Sequence, residues 1–333
     1  MPKREVKGDP EFHAVAFKDF VKYELAVGGP DPHMKVANWI ANRVCDSDLQ
    51  AAWFGGLYVA PYNVPSGEVL FNLWNHPSVV LDNPEAFTQW LSDSWKAITC
   101  RKERRAVMAP HKMAPHIIDL ADFLLNGRFQ DLEDAKTYDE AHDILRTIKG
   151  NGRYGTMKLY ETWRRSCITL PEQSDIVARG GWSPRLSLSW QHPEYAEWLN
   201  GNDSKVNLQL TDEVAAYNYA LTGSNLLIDW FNYEVMLCDY KQAYDGRQYP
   251  GRGHDSELGH FINIAARNPD IELLTLEARA ALFPHQALGE FAGWNGRRDE
   301  CSDVLLNHGY TWSDMVYDYN ATTDFANPVR RTV

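Results

Sequence analysis

With 333 residues, 44% of them hydrophobic and 12% aromatic, the chain carries enough apolar material for one large or two ordinary folded domains. No apolar run approaches the ~18–20 residues of a membrane span, and the opening MPKREVKGDPEF lacks the apolar core of a secretory signal, so a soluble, cytoplasmic protein is expected. A net charge of −12, from 33 Lys+Arg against 45 Asp+Glu, argues against coating nucleic acid through bulk electrostatics and leaves room only for a local basic surface.

Taken in order, the chain reads as helix after helix with almost no strand alternation. Residues 10–27 carry an amphipathic pattern that Gly28-Gly29-Pro30 stops, and residues 34–45 carry a second helix. From Asp48, DLQAAWFGGLYVAPY is apolar nearly all round, as a buried helix is; Gly55 and Gly56 inside it imply close helix packing or the approach of a ligand. Pro65 starts a further helix, Asn83-Pro84 caps another, and Pro115 opens HIIDLADFLL. RKERR at residues 101–105 reads either as a solvated face or, with His111 and Lys112, as part of a basic groove.

Residues 137–165 form the most informative stretch, a helix, a glycine hairpin and a second helix. Leu145 and Ile148 close the first helix, while Tyr154, Met157, Leu159 and Tyr160 open the second at helical spacing. Gly150 and Gly152 permit a tight turn and bare the N–H groups of a helix N-terminus, which hold phosphate oxygens without reading bases. Arg153 and Lys158 add charge beside the turn. A plain helix-to-helix corner is the competing account. The pattern resembles the helix-hairpin-helix of DNA glycosylases, which implies an all-α, glycosylase-like helical bundle that binds DNA.

Residues 169–207 are rich in Pro, Gly and Trp and poorly periodic, which predicts an irregular insertion. Within it, the glycosylase resemblance makes Asp175 a catalytic candidate and Glu172 a weaker one. The expected layout is a single helical domain of two lobes, residues 1–136 and 208–333, flanking the hairpin unit at 137–168 and the insertion. In the second lobe Leu227, Glu234 and Lys241 fall at heptad spacing, which puts Glu234 on the apolar face of a long helix, as either a proton acceptor or a structural ion-pair partner. The loop DGRQYPGRGHD then offers Arg247 and Arg252 among glycines, suited to a phosphate or pyrophosphate, with Asp255 as cap of the next helix; two solvated arginines are the alternative. The chain ends in further helix from TLEARAALF at residue 275.

The five cysteines lie far apart with no CxxC or Cys/His pairing at zinc spacing, so reduced thiols and no metal site are expected. There is no Walker loop, dinucleotide fingerprint, HExxH or serine elbow, and no cofactor is expected.

WFGGLYVAPYNVPSGEVLFNLW, IKGNGRYGTMKLYETW and NYEVMLCDYKQAYDGRQYPGR together are similar to the phage thymine-hypermodification proteins, the alpha-glutamyl/putrescinyl-thymine pyrophosphorylases and amino acid:DNA transferases. The resemblance implies a transferase in which an amine or amino acid displaces pyrophosphate from pyrophosphorylated 5-hydroxymethyluracil in double-stranded DNA, in the host cytoplasm for a phage-encoded enzyme. Such chemistry needs base flipping and a pocket for the base, which Trp53, Tyr58, Tyr62 and Asn63 could line. Arg247, Arg252 and Lys241 would meet the departing pyrophosphate, and Glu234 or Asp175 would take the amine proton. Two rivals stand beside this reading: a glycosylase that excises a modified base, and a non-enzymatic helical DNA-binding or phage structural protein.

Overall fold

A computed structural model describes residues 10–26, 31–172, 182–193, 230–244, 252–282, 315–316 and 329–330. These contain fourteen α-helices and one antiparallel pairing of two-residue strands, Met315–Val316 with Val329–Arg330, so the chain is all-α in class. It divides into two interleaved compact units, one of Met1–Pro32, Ser174–Ser256 and Phe283–Val333, the other of His33–Gln173 and Glu257–Leu282.

In the first unit α1 (Pro10–Ala26), α11 (Trp182–Gln191) and α12 (Trp230–Tyr244) pack on one another. Phe17 meets Tyr233 and Tyr240 edge-on, and His13 Nδ1 lies 2.9 Å from the Tyr240 hydroxyl. Helix α11 corrects the expectation of an irregular stretch through residues 169–207, because its apolar contacts come from distant helices rather than from its own periodicity.

The second unit holds α2 (Pro32–Val44), α3 (Asp48–Val59), α4 (Val64–Leu73), α5 (Pro77–Asp82), α6 (Pro84–Asp93), α7 (Pro110–Leu125), α8 (Arg128–Glu133), α9 (Tyr138–Arg146), α10 (Arg153–Ser166), most of α13 (Arg252–Arg267) and α14 (Thr275–Leu282). Short polar residues start these helices as the sequence demands. Ser47 accepts from Gln50 N–H, Asn63 from Ser66 N–H, Asn83 from Ala86 N–H, and Thr137 with Glu140 closes a capping box. Helix α7 begins at Pro110, five residues ahead of the expected start, with Pro115 inside it. Pro110 sits in the first turn, where a missing N–H costs nothing, so the helix nucleates there and tolerates Pro115 further in.

Helix α3 is the centre of this unit, buried from Ala51 to Val59. A Cβ on Gly55 would lie 2.9 Å from Thr162 of α10, and one on Gly56 would lie 2.6 Å from Leu120 of α7. The two glycines therefore serve helix packing. Trp163 Nε1 donates to the Ala52 carbonyl at 2.8 Å and fixes α10 along α3. Antiparallel packing of α10 on α3 brings the start of α10 beside the residues that follow α3, and that junction is the candidate site.

Candidate nucleic-acid interface

Residues 147–152 join α9 to α10, as the sequence predicts. Gly150 has φ +85°, the left-handed region that favours glycine, and a Cβ there would lie 2.8 Å from Val107 Cγ1. Gly152 differs. Its φ of −89° suits any residue, a Cβ would meet nothing within 4 Å, and it heads α10 without a side-chain cap. The expectation that both glycines shape the turn is thus corrected: only Gly150 does, while the absence of a side chain at Gly152 leaves the first turn of α10 open to an approaching group.

The turn is held rigid from behind. Lys149 N–H donates to Asp119 Oδ2 at 2.7 Å, and Asn151 N–H to the Ile148 carbonyl at 3.0 Å, so these two N–H groups point inward rather than toward a ligand. His116 Nδ1 lies 2.6 Å from the Lys149 carbonyl and must donate to it, which leaves Nε2 bare to accept from Arg104 Nη2 at 3.1 Å. Burial first, then the adjacent Arg104 guanidinium, push His116 down to about 3, so the ring is neutral. Arg104 also donates through Nε to the Ala60 carbonyl at 3.1 Å and through Nη2 to Asn151 Oδ1 at 3.5 Å. Burial pushes its pKa down to about 10, which still leaves it charged at neutral pH. One guanidinium thus ties the end of α3 to the hairpin. RKERR is accordingly split: Arg104 is structural, while Lys102, Glu103 and Arg105 are exposed.

In and next to the hairpin Arg146, Lys149 and Arg153 are exposed, as are Lys102 and Arg105 in the segment that leads into α7 and Lys112 in its first turn. Lys158 is not among them. It is 2% exposed, and its ammonium donates to Glu161 Oε2 at 2.9 Å, with Arg165 Nε 3.5 Å from the other carboxylate oxygen. Its assignment to the DNA backbone is corrected, because the α10 face from Gly155 to Trp163 is buried and carries Lys158 inward with it.

Directly behind the hairpin, Tyr62 occupies the left-handed position that ends α3, with φ 51°. Glycine is usual there, and a side chain costs roughly 1–2 kcal/mol of backbone strain. The ring so placed has His33, Tyr58 and Tyr154 as aromatic neighbours at centroid distances of 6.1, 5.7 and 5.5 Å. Two cations face it, Arg101 at 5.8 Å and Lys158 at 5.9 Å. Beside it Asn63 caps α4 through Oδ1, while its buried Nδ2 has no partner among the described residues. Of the expected base-pocket residues, Tyr58, Tyr62 and Asn63 are together, and all three are buried, so they form packed core behind the hairpin rather than an open pocket. Trp53 is corrected to a core residue, wholly buried, with its N–H donating to the Trp74 carbonyl at 2.7 Å. Sequence reasoning missed Arg104, His116 and Glu161, whose partners lie on other helices or whose burial follows from tertiary packing.

The remaining candidates fall elsewhere. Glu234, 6% exposed, and Lys241, half-buried, lie on α12 of the first unit. Arg252 is the first residue of α13, so that helix starts ahead of Asp255 instead of being capped by it. Asp175 and Arg247 lie outside the described residues. Among the described residues no group of three or more His, Cys, Asp or Glu side chains could hold a metal ion, and no helix is long and apolar enough to cross a membrane. Comparison of the chain with protein-family models, curated proteins and solved structures finds no match to any of them.

Proposed function

We propose that this protein is a DNA-modifying transferase that replaces pyrophosphate on pyrophosphorylated 5-hydroxymethyluracil, within double-stranded DNA, with an amine or amino acid. The observation that carries the DNA-binding part is the hairpin: a rigid turn whose exposed Gly152 opens an uncapped helix start, ringed by Lys149, Arg153 and Arg146 in a chain of net charge −12. Local positive charge on an acidic protein favours a grip on a few phosphates over general adhesion. The base-binding part rests on the resemblance, with Asn63 Nδ2, which has no partner among the described residues, beside the buried Tyr62 ring as the group that would bond to a base edge. The choice of reaction rests on the resemblance stated above.

In that reaction the amine nitrogen bonds to the exocyclic methylene carbon, and the bond from that carbon to the pyrophosphate oxygen breaks with its electron pair leaving on pyrophosphate. The amine proton passes to a carboxylate, for which Glu234 is the candidate among the described residues, with Asp175 beside it in the sequence reading. Arg247, Arg252 and Lys241 are the candidate cations for the leaving group.

The test is to give the enzyme duplex DNA bearing pyrophosphorylated hydroxymethyluracil and candidate amines. Pyrophosphate should appear, the nucleoside should gain the mass of the donor, and the strand should stay stable to alkali. Glu234→Gln should slow transfer by about 10²- to 10⁴-fold with DNA binding preserved. Free base and alkali-labile strands would replace this reading with a glycosylase.

A further inference from the structure

A groove of about 660 Å³ lies within the second unit, lined by Trp95, Lys96, Ala97, Ile98 and Arg267. That volume falls within the roughly 300–1,000 Å³ of small-molecule sites. Trp95–Ala97 is a single turn of 3-10 helix after α6, and Arg267 is the last residue of α13. The groove is built on fixed backbone. Asn268 Nδ2 donates to the Ala97 and Ile264 carbonyls, each at 2.9 Å, and so fastens the end of α13 to the turn. Thr99 N–H donates to Ser66 Oγ at 2.8 Å and Ala97 N–H to the Ser94 carbonyl at 2.8 Å, so a ligand need not order this wall.

The side chains that line the groove select its ligand. Lys96 and Arg267 are exposed, and neither meets a carboxylate among the described residues. Among those residues Arg267 bonds only through Nη1, to the Lys96 carbonyl at 3.4 Å and the Thr99 hydroxyl at 3.5 Å, which leaves the rest of its fork of donors to an anion. Two cations without an acid, in a chain of net charge −12, favour a negatively charged group. Exposed cations alone hold a bare anion weakly. The half-buried Trp95 supplies what they lack. Among the described residues its ring meets no other aromatic ring and its N–H no acceptor, so the indole is left to stack on a planar ligand beside the apolar Ala97 and Ile98. No Asp or Glu lines the groove, so the ammonium of an amine or amino acid finds no partner there, and the donor of the proposed transfer is not its occupant.

We infer that this groove binds one nucleotide, its phosphate between Lys96 and Arg267 and its base on Trp95. A nucleotide joins the two properties the lining asks for, an anionic group and a planar ring, at a size the groove holds. Its source is a free monophosphate or the phosphorylated end of a strand, which present the same chemistry. The site goes beyond the hairpin reading and does not depend on it.

Calorimetric titration of the full-length protein with dAMP, dTMP, their parent nucleosides and inorganic phosphate reads each half of the site. Both nucleotides should bind saturably, and loss of either the phosphate or the base should weaken binding by about tenfold or more. Arg267→Ala and Lys96→Glu should each weaken the nucleotides by about tenfold. Trp95→Ala should bring them down toward inorganic phosphate, whereas Trp95→Phe, which keeps a ring, should retain most of the affinity. Lys96 is exposed, so Lys96→Glu holds the test even where Trp95→Ala unfolds the protein. A 5′-phosphorylated trinucleotide that competes better than dTMP identifies a strand end as the source, and one that competes worse identifies a free nucleotide. Absence of saturable nucleotide binding overturns the site. So does inorganic phosphate that binds as tightly as the nucleotides, or nucleotide binding that Lys96→Glu and Arg267→Ala leave unmoved. Nucleotide binding abolished by Gly152→Val would put the ligand at the hairpin and would also overturn it. Wild type that binds nucleotides but not duplex DNA keeps this site and removes the hairpin reading.

Discussion

His116 and Arg104 can lie 3.1 Å apart only while the imidazole is neutral, because a protonated ring would set two cations together in a buried site. The folded ring stays neutral down to about 3, against an ordinary value of 6.5, so between these limits the unfolded chain takes up a proton that the folded chain refuses. Stability from this source is complete above the ordinary value and drains away as the pH falls toward the folded one. Urea unfolding from about pH 6 down to pH 4 should show this loss, with a slope of up to ~1.4 kcal/mol per pH unit from this one group. His116→Asn, whose amide can keep the donation to the Lys149 carbonyl, should flatten that slope; an unchanged slope would mean the acid sensitivity arises elsewhere. The two hairpin glycines separate fold from function at the same scale. Gly150→Ala meets both a left-handed backbone and Val107, and should cost at least about 1–2 kcal/mol in chemical denaturation. Gly152→Val meets neither obstacle, so the protein should stay folded while affinity for duplex DNA falls alike for all sequences.

Secondary elements were legible in the sequence wherever their causes are local. Asn83-Pro84 announces a helix start with its own residues, and the apolar run from Ala51 to Val59 announces burial. Elements whose causes are distant were not. The burial of Lys158 follows from the docking of α10 on α3, and the structural role of Arg104 from partners 12, 44 and 47 positions away. Neither leaves a periodic trace near the residue itself. Glu68 on α4 makes the same point, since its buried carboxylate accepts from Leu274 N–H, from Thr275 N–H at 3.1 Å and from the Thr275 hydroxyl, and so caps α14 across 207 positions of sequence. Burial pushes the Glu68 carboxyl up, a cost these three donors offset. Glu68→Ala strands buried donors and should destabilise the protein by about 2 kcal/mol or more. Hydrogen exchange should then quicken first at the start of α14; uniform quickening across the chain would deny Glu68 this capping role.

At the scale of the whole molecule, the net charge of −12 sets how the proposed DNA binding must depend on salt. A protein that coats DNA neutralises many phosphates and shows a correspondingly steep dependence. An acidic chain that grips through one hairpin repels the duplex everywhere except at the cationic ring, so the number of phosphates it engages is small. The logarithm of the association constant should fall by roughly 0.9 per decade of salt for each phosphate neutralised. Three exposed cations adjoin the turn, Arg146, Lys149 and Arg153, and with the exposed Lys102 and Arg105 of the segment leading into α7 and Lys112 of its first turn they bound the slope at about −5. Arg153→Ala and Lys149→Ala should each weaken binding to every duplex and make that slope shallower by about 1, whereas the buried Lys158→Met should leave it unchanged. Anisotropy titrations across a salt series distinguish these outcomes. A slope that does not respond to Arg153 or Lys149, or that responds to Lys158, would place the phosphate contacts away from the hairpin.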